Sequence, residues 1–126
     1  VIDYAHHPTE IRQFYEAMKF VYHEMLFIFQ PHTYTRTKAL LGDFVETLKT
    51  IDNLVIYKEY SARETSSMGV SSKQLVDILK QNGVKAKYAG NKLSLQRLMK
   101  KTDYDAILFV GAGDIASIAG EIVGES

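Results

Sequence analysis

Short apolar runs and helix-period stripes alternate along this chain from end to end. "VIDY" reads as the end of a strand. Behind Pro8, residues Ile11, Phe14, Tyr15, Met18 and Tyr22 recur at the spacing of one helix face. "MLFIF" is continuously apolar, as a strand covered on both faces must be, and it stops at Gln30-Pro31. Leu40, Leu41, Phe44, Val45, Leu48 and Ile51 form the next helical stripe, and "NLVIYKEY" the next strand. The polar stretch "SARETSSMGV" reads as a loop. A helix carrying Leu75, Val76 and Leu79 follows, then "VKAKYAG" as a more polar strand nearer an edge. A short helix with Leu95, Leu98 and Met99, the strand "DAILFVGAG", and a last helix with Ile115, Ile118, Ala119 and Ile122 complete the chain. Strict β-α alternation predicts an α/β fold of three layers around a mainly parallel sheet, with right-handed crossovers.

Local chemistry supports these boundaries. Pro8 suits the first turn of a helix, and Glu10 suits its positive end. Ser71 or Ser72 is placed to cap the fourth helical segment, and Asn82-Gly83 to end it with a left-handed residue. Asp114 stands where the cap of the last helix belongs. The 126 residues make one domain with room for a real core. No internal repeat or linker interrupts it.

Composition narrows the function classes. Formal net charge is zero, which argues against a nucleic-acid partner. Cysteine is absent, which removes disulfides, thiolate catalysis and Cys-based zinc sites. No apolar run approaches the roughly 18–20 residues of a membrane helix. The first residues hold no basic-then-apolar leader, so a soluble, cytoplasmic protein without membrane partners is expected.

In a parallel α/β sheet, ligands meet the carboxyl ends of the strands. The polar clusters fall there: "DYAHHP", "QPHTYTR", "YSARE" and "GAGD" each follow a strand. Adjacent His6 and His7 do not have the i, i+4 spacing that puts two rings on one ion, so no metal ligand is assigned. One of them starting the helix, or orienting a polar ligand, are the two readings left open. His32, Thr33, Tyr34, Thr35, Arg36 and Thr37 carry donors enough to line an anion site, with a guanidinium able to fork onto a carboxylate or phosphate. The same run also reads as a plain helix start. "GAGD" lacks the third glycine of a dinucleotide fingerprint, and tight strand-to-helix packing explains Gly111 and Gly113 as well. Arg63 and Glu64 read as an exposed loop pair. No G-x-S-x-G turn is present to nominate a serine nucleophile.

Taken together, "DYAHHPTEI", "FQPHTYTRT" and "GAGDI" resemble the C-terminal domain of the Mur ligases, over nearly the whole chain. The second stretch is the more selective. It is similar to the L-alanine-adding branch and differs from the branch that recycles murein tripeptide, which stands as the alternative. A stand-alone flavodoxin-like binding module is a further alternative, and a metal-dependent hydrolase using His6, His7 and His32 the remotest.

The resemblance implies a Rossmann-like third domain of a three-domain ATP-dependent ligase of bacterial peptidoglycan synthesis. Its partners are the N-terminal and central domains of the same enzyme, and its implied substrates are UDP-N-acetylmuramate and L-alanine. ATP is implied as co-substrate, with magnesium held mainly by the central domain, whose phosphate-binding loop this sequence does not contain. By position, Asp3 is expected at the ATP ribose. Tyr4, His32 and Arg36 are expected on the amino-acid side, with Arg36 on its carboxylate. His6 and His32 are expected as catalytic hydrogen-bond donors to the phosphate or tetrahedral intermediate. Alone, the domain is expected to fold without catalysing. Ile2 stands where the family often has a first Asp, and Thr33 where many members have Arg.

Overall fold

The computed structural model describes residues 1–101 and 103–124. Among them, strands β1 (Ile2–Asp3), β2 (Met25–Phe29), β3 (Leu54–Tyr57), β4 (Lys87–Ala89) and β5 (Ala106–Val110) form one sheet. Its order is β1-β5-β2-β3-β4, and every pairing is parallel. Helices α1 (Pro8–Lys19), α2 (Tyr34–Ala39), α3 (Leu41–Leu48), α4 (Ser72–Gln81), α5 (Lys92–Met99) and α6 (Ile115–Gly124) connect the strands. The more polar β4 does lie at an edge.

The continuous apolar strands are explained by two-sided burial. Every residue of β2 is buried. Because side chains alternate along a strand, Met25, Phe27 and Phe29 meet the cluster built with α1, α3 and α4, while Leu26 and Ile28 meet that of α5 and α6. Leu54 and Ile56 of β3, and Leu108 and Val110 of β5, join the first cluster; Val55, Tyr57 and Phe109 join the second. The result is the expected three-layer sandwich. Phe27, Phe29, Leu48 and Leu108 are fully buried, each worth about 1.5–3 kcal/mol relative to exposure.

Several helix boundaries follow the local signals. At α4, Ser71 accepts from the Gln74 N–H and the Gln74 side chain accepts from the Ser71 N–H, closing a capping box. Gly83 ends that helix at φ +81°. Other boundaries differ from the sequence expectation. Helix α1 stops at Lys19, and Tyr22 packs partly buried against the core from the turn beyond it. The second helical stripe is two helices. The first starts earlier, at Tyr34, because Thr33 Oγ1 accepts from the Arg36 N–H; the break falls at Leu40, with φ −110° and ψ 19°. At α6, Asp114 stands at the cap position, its carbonyl accepting from Ile118 N at 3.1 Å, and Gln30 Oε1 meets the first helical N–H, accepting from Ile115 N at 3.1 Å.

The topology fixes where a ligand can enter. From β1 and β2 the chain runs to helices on one face of the sheet, and from β5 to α6 on the other. Two crevices therefore open at the carboxyl end of β5, one toward β1 and one toward β2.

Candidate functional site

The turns after β1, β2, β3 and β5 converge on these crevices. After β1, Asp3 Oδ2 accepts from Ala5 N at 3.0 Å, bending the chain away from the sheet, while the Asp3 carbonyl holds Gly111 N at 3.0 Å. Oδ1 of Asp3 has no protein partner among the described residues. Tyr4 is 66% exposed. His6 and His7 then separate by role. The His7 ring accepts from Thr9 N, and Glu10 accepts from His7 N at 3.1 Å, so His7 is the reciprocal cap of α1. His6, half-buried, turns its Nδ1 to the Tyr4 carbonyl at 3.3 Å and lies 3.7 Å from Glu10 Oε1. Backbone N–H groups of His7, then His6, hold the Glu10 carboxyl below its usual range.

After β2 the backbone is pinned to the end of β3. His32 and Tyr60 form an isolated parallel bridge, with Thr33 N on Tyr60 O at 2.8 Å and Tyr60 N on Pro31 O at 2.9 Å. The Tyr60 ring lies 5.3 Å from the His32 ring at 30°. On the same side, the His6 ring is 6.2 Å from His32. Two histidines 26 positions apart in sequence are thus neighbours in space. Burial lowers the His32 pKa, helped by Arg36 and His6 and opposed by Glu64. The ring is accordingly neutral at pH 7. Its Nδ1 is buried without a hydrogen-bond partner among the described residues.

Thr33 itself sits at φ 65° and ψ 152°. A β-branched residue there carries strain of order 1–3 kcal/mol, which the surrounding bonds must hold. Thr37 Oγ1 donates to Thr33 O at 2.9 Å, and Arg36 N to Thr33 Oγ1 at 3.4 Å. The Arg36 guanidinium is half-buried and forms no ion pair among the described residues. A cation this placed can receive a carboxylate or phosphate.

Sequence reasoning missed four contributors. Gln30, 2% exposed, donates through Nε2 to Lys58 O at 3.1 Å and to Asp114 Oδ1 at 2.5 Å, besides accepting from Ile115 N. One amide thus ties together the ends of β2, β3 and β5. A glutamine closing an otherwise apolar strand was the available signal. Tyr60 is the aromatic wall of His32. Glu59 accepts from Ser72 N at 3.0 Å and from the Tyr34 hydroxyl; burial alone raises its pKa, but these bonds outweigh it and lower it. Glu64 is not a free loop acid: its carboxylate takes both Thr35 N, at 2.9 Å, and Thr35 Oγ1, at 2.6 Å. The glycines of "GAGD" serve close approach. A Cβ on Gly113 would stand 2.5 Å from Tyr60 Cβ, and one on Gly111 2.9 Å from the Gln30 carbonyl oxygen.

The arrangement defines a parallel α/β ligand-binding domain whose polar groups meet at the switch points flanking β5. The chain belongs to the Mur ligases: residues 1–113 match the family described as Mur ligase, glutamate ligase domain. It is 38% identical over 124 residues to the UDP-N-acetylmuramate–L-alanine ligase of Agathobacter rectalis, covering 96% of this chain and 27% of that protein. It is 41% identical over 129 residues to the same-named enzyme of Caldanaerobacter subterraneus, covering 100% of this chain and 28% of that one. The crystal structure of UDP-N-acetylmuramate-alanine ligase MurC from Thermotoga maritima matches with a TM-score of 0.73 at 29% identity, over 98% of this chain and 26% of that one. A domain from a putative tripeptide ligase of Haemophilus ducreyi matches at 0.66 and 17% identity, over 98% of this chain and 87% of that one, which shows shared fold. The chain therefore spans about a quarter of the length of its curated relatives.

Proposed function

We propose that this domain presents L-alanine to an activated UDP-N-acetylmuramate in an ATP-dependent, amide-forming ligase of peptidoglycan synthesis. The carrying observation is Arg36, an unpaired cation beside a neutral His32 at the switch point, in a chain whose relatives bear the name of that ligase. In the reaction, the muramoyl carboxylate takes the γ-phosphoryl of ATP, and the alanine amine then displaces phosphate from the acyl-phosphate. Arg36 forks onto the alanine carboxylate, and Tyr4 lines the same side. His32 and His6 donate hydrogen bonds to the phosphate or to the oxyanion of the tetrahedral intermediate, where charge develops.

Asp3 fits the ATP ribose, since Oδ1 is free at the strand end and Oδ2 is held by Ala5 N. In this reading magnesium is held mainly by the central domain of the ligase. The other domains, the UDP-sugar and ATP are the partners of this reading, which sets the enzyme in the cytoplasm, where ATP is. No helix among the described residues is long and apolar enough to cross a membrane.

The test is Arg36→Ala in the ligase that carries this domain. The KM for L-alanine is expected to rise about tenfold or more with kcat little changed, the signature of lost ground-state binding. An unchanged KM removes Arg36 from this role.

A further inference from the structure

We propose that Glu64, in the loop after β3, is a positioning residue of this site: it fixes the turn between β2 and α2 from which His32 and Arg36 are presented. The inference rests on the reading of Arg36 and His32 given above. Three observations carry it. Glu64 spends both carboxylate oxygens on one residue, Thr35, which stands 29 positions away in sequence and immediately before Arg36. The turn it grips contains Thr33 at positive φ, a conformation that does not persist without external holds. Finally, Glu64 bonds the residue directly before Arg36 and forms no ion pair with Arg36 itself. By binding Thr35 instead, it leaves the Arg36 guanidinium available to an incoming anion.

The surroundings are consistent with such a division of labour. Glu64 N is itself anchored on Ser61 O at 2.9 Å, and Val70 N on Tyr34 O at 3.1 Å, so the loop from Ser61 to Val70 holds the first turn of α2 through Glu64 and Val70. Gly69 allows the strap to lie flat: a Cβ there would fall 2.0 Å from the Tyr34 carbonyl oxygen. The groups that set the charge around His32 are Arg36, His6 and Glu64, and Glu64 is the only acid among those named. Its carboxylate thus acts on the site twice, by holding Thr35 and by its charge. It touches neither substrate nor reacting atoms in this assignment.

Two variants separate positioning from plain loop anchoring. Glu64→Ala removes both bonds to Thr35. Glu64→Gln keeps an acceptor for the Thr35 N–H and a donor for its hydroxyl, but loses the charge. In the ligase that carries this domain, Glu64→Ala is expected to raise the KM for L-alanine about tenfold and to lower kcat as well, since the turn presents His32 along with Arg36, and Glu64→Gln to restore most of both losses. In the 126-residue chain, the NMR titration midpoint of the His32 ring is expected to move to lower pH in both variants, and the Thr35 amide to lose exchange protection in Glu64→Ala alone. An active enzyme with an unchanged KM in Glu64→Ala overturns the proposal. So does an unmoved His32 midpoint together with an unchanged Thr35 amide. If the wild-type ligase shows no L-alanine-dependent ADP release, the proposed function fails instead, and the His32 and Thr35 measurements on the chain still decide whether Glu64 holds the turn.

Discussion

The two ends of the sheet are built differently. At the amino ends of β2, β3 and β4 lies an open hollow of about 1040 Å³, lined among others by Lys49, Asn53, Lys85, Lys87, Lys101 and Tyr104. The carboxyl ends hold a buried amide, Gln30, bonded across three strand ends, a strained Thr33, two glycines pressed on Tyr60 and Gln30, and an Arg36 without an ion pair among the described residues. The amino-end turns are also tied across strands, but at exposed or half-buried positions: Asp105 accepts from His23 N and Glu24 N, and Asn53, at φ 53°, donates to Met25 O and Glu24. Volume alone therefore points to the end opposite the proposed site. Constraint and unsatisfied chemistry mark the carboxyl end, where the proposed function places the site.

The sharpest way to break this comparison is with one glycine from each end. Gly69 sits in the strap over α2, where an added Cβ would meet the Tyr34 carbonyl carbon at 2.3 Å as well as its oxygen. Backbone cannot yield cheaply, so Gly69→Ala is expected to cost about 3 kcal/mol. Gly83 has φ +81° and nothing within 4 Å of its would-be Cβ, so Gly83→Ala costs only the left-handed penalty of about 1–2 kcal/mol. Urea unfolding of both variants measures the difference. Equal losses would mean the carboxyl end is no more tightly constrained than the amino end.

The second comparison sets Gln30 against Asp105. Gln30→Ala strands a buried Ile115 N–H and releases Asp114 and the Lys58 carbonyl, with an expected cost of about 2–4 kcal/mol. Asp105→Ala exposes two N–H groups at a surface turn where water replaces the carboxylate, and the loss is expected to be a fraction of that for Gln30. Thermal unfolding at one pH orders the two. A larger loss for Asp105 would reverse the comparison.

These expectations also show where the sequence is legible. The sheet and its layers are written in "MLFIF" and "DAILFV", whose unbroken apolarity has no reading but two-sided burial. The Ser71 cap and the Gly83 terminus are equally local, since a single residue type meets a single backbone need. The placement of polar clusters at strand ends follows from alternation alone. Thr33 gives no such sign, because threonine ordinarily avoids positive φ and is held there by the Tyr60 bridge and by Arg36 N and Thr37 Oγ1, with Glu64 gripping the neighbouring Thr35. The split between α2 and α3 arises from that same start at Thr33, so the stripe from Leu40 onward reads as one helix. Gln30 and Glu64 act across 28 or more positions, and nothing in their neighbours identifies a partner so distant. His7 was legible through Pro8, which marks the first helical turn and makes the preceding residue its cap.

The smallest effect is confined to high pH. Tyr34, at the carboxyl end, donates to the buried side of Glu59, and this bond, then burial, pushes its pKa up to about 12. A tyrosine raised in the folded state stabilises fully below its unfolded value near 10, and that stability is lost as pH climbs toward about 12. Burial also raises Tyr57 and Tyr88, so several rings resist ionisation and Tyr34 is expected to be the last. Ultraviolet titration should show a final tyrosinate step that coincides with loss of the fold. Tyr34→Phe is expected to delete that step while leaving stability at pH 7 lowered only modestly, since Glu59 keeps the Ser72 N–H. If the step survives the substitution, the Tyr34–Glu59 bond does not hold α2 to the end of β3, and the contrast between the tightly constrained carboxyl end and the open amino end loses one of its supports.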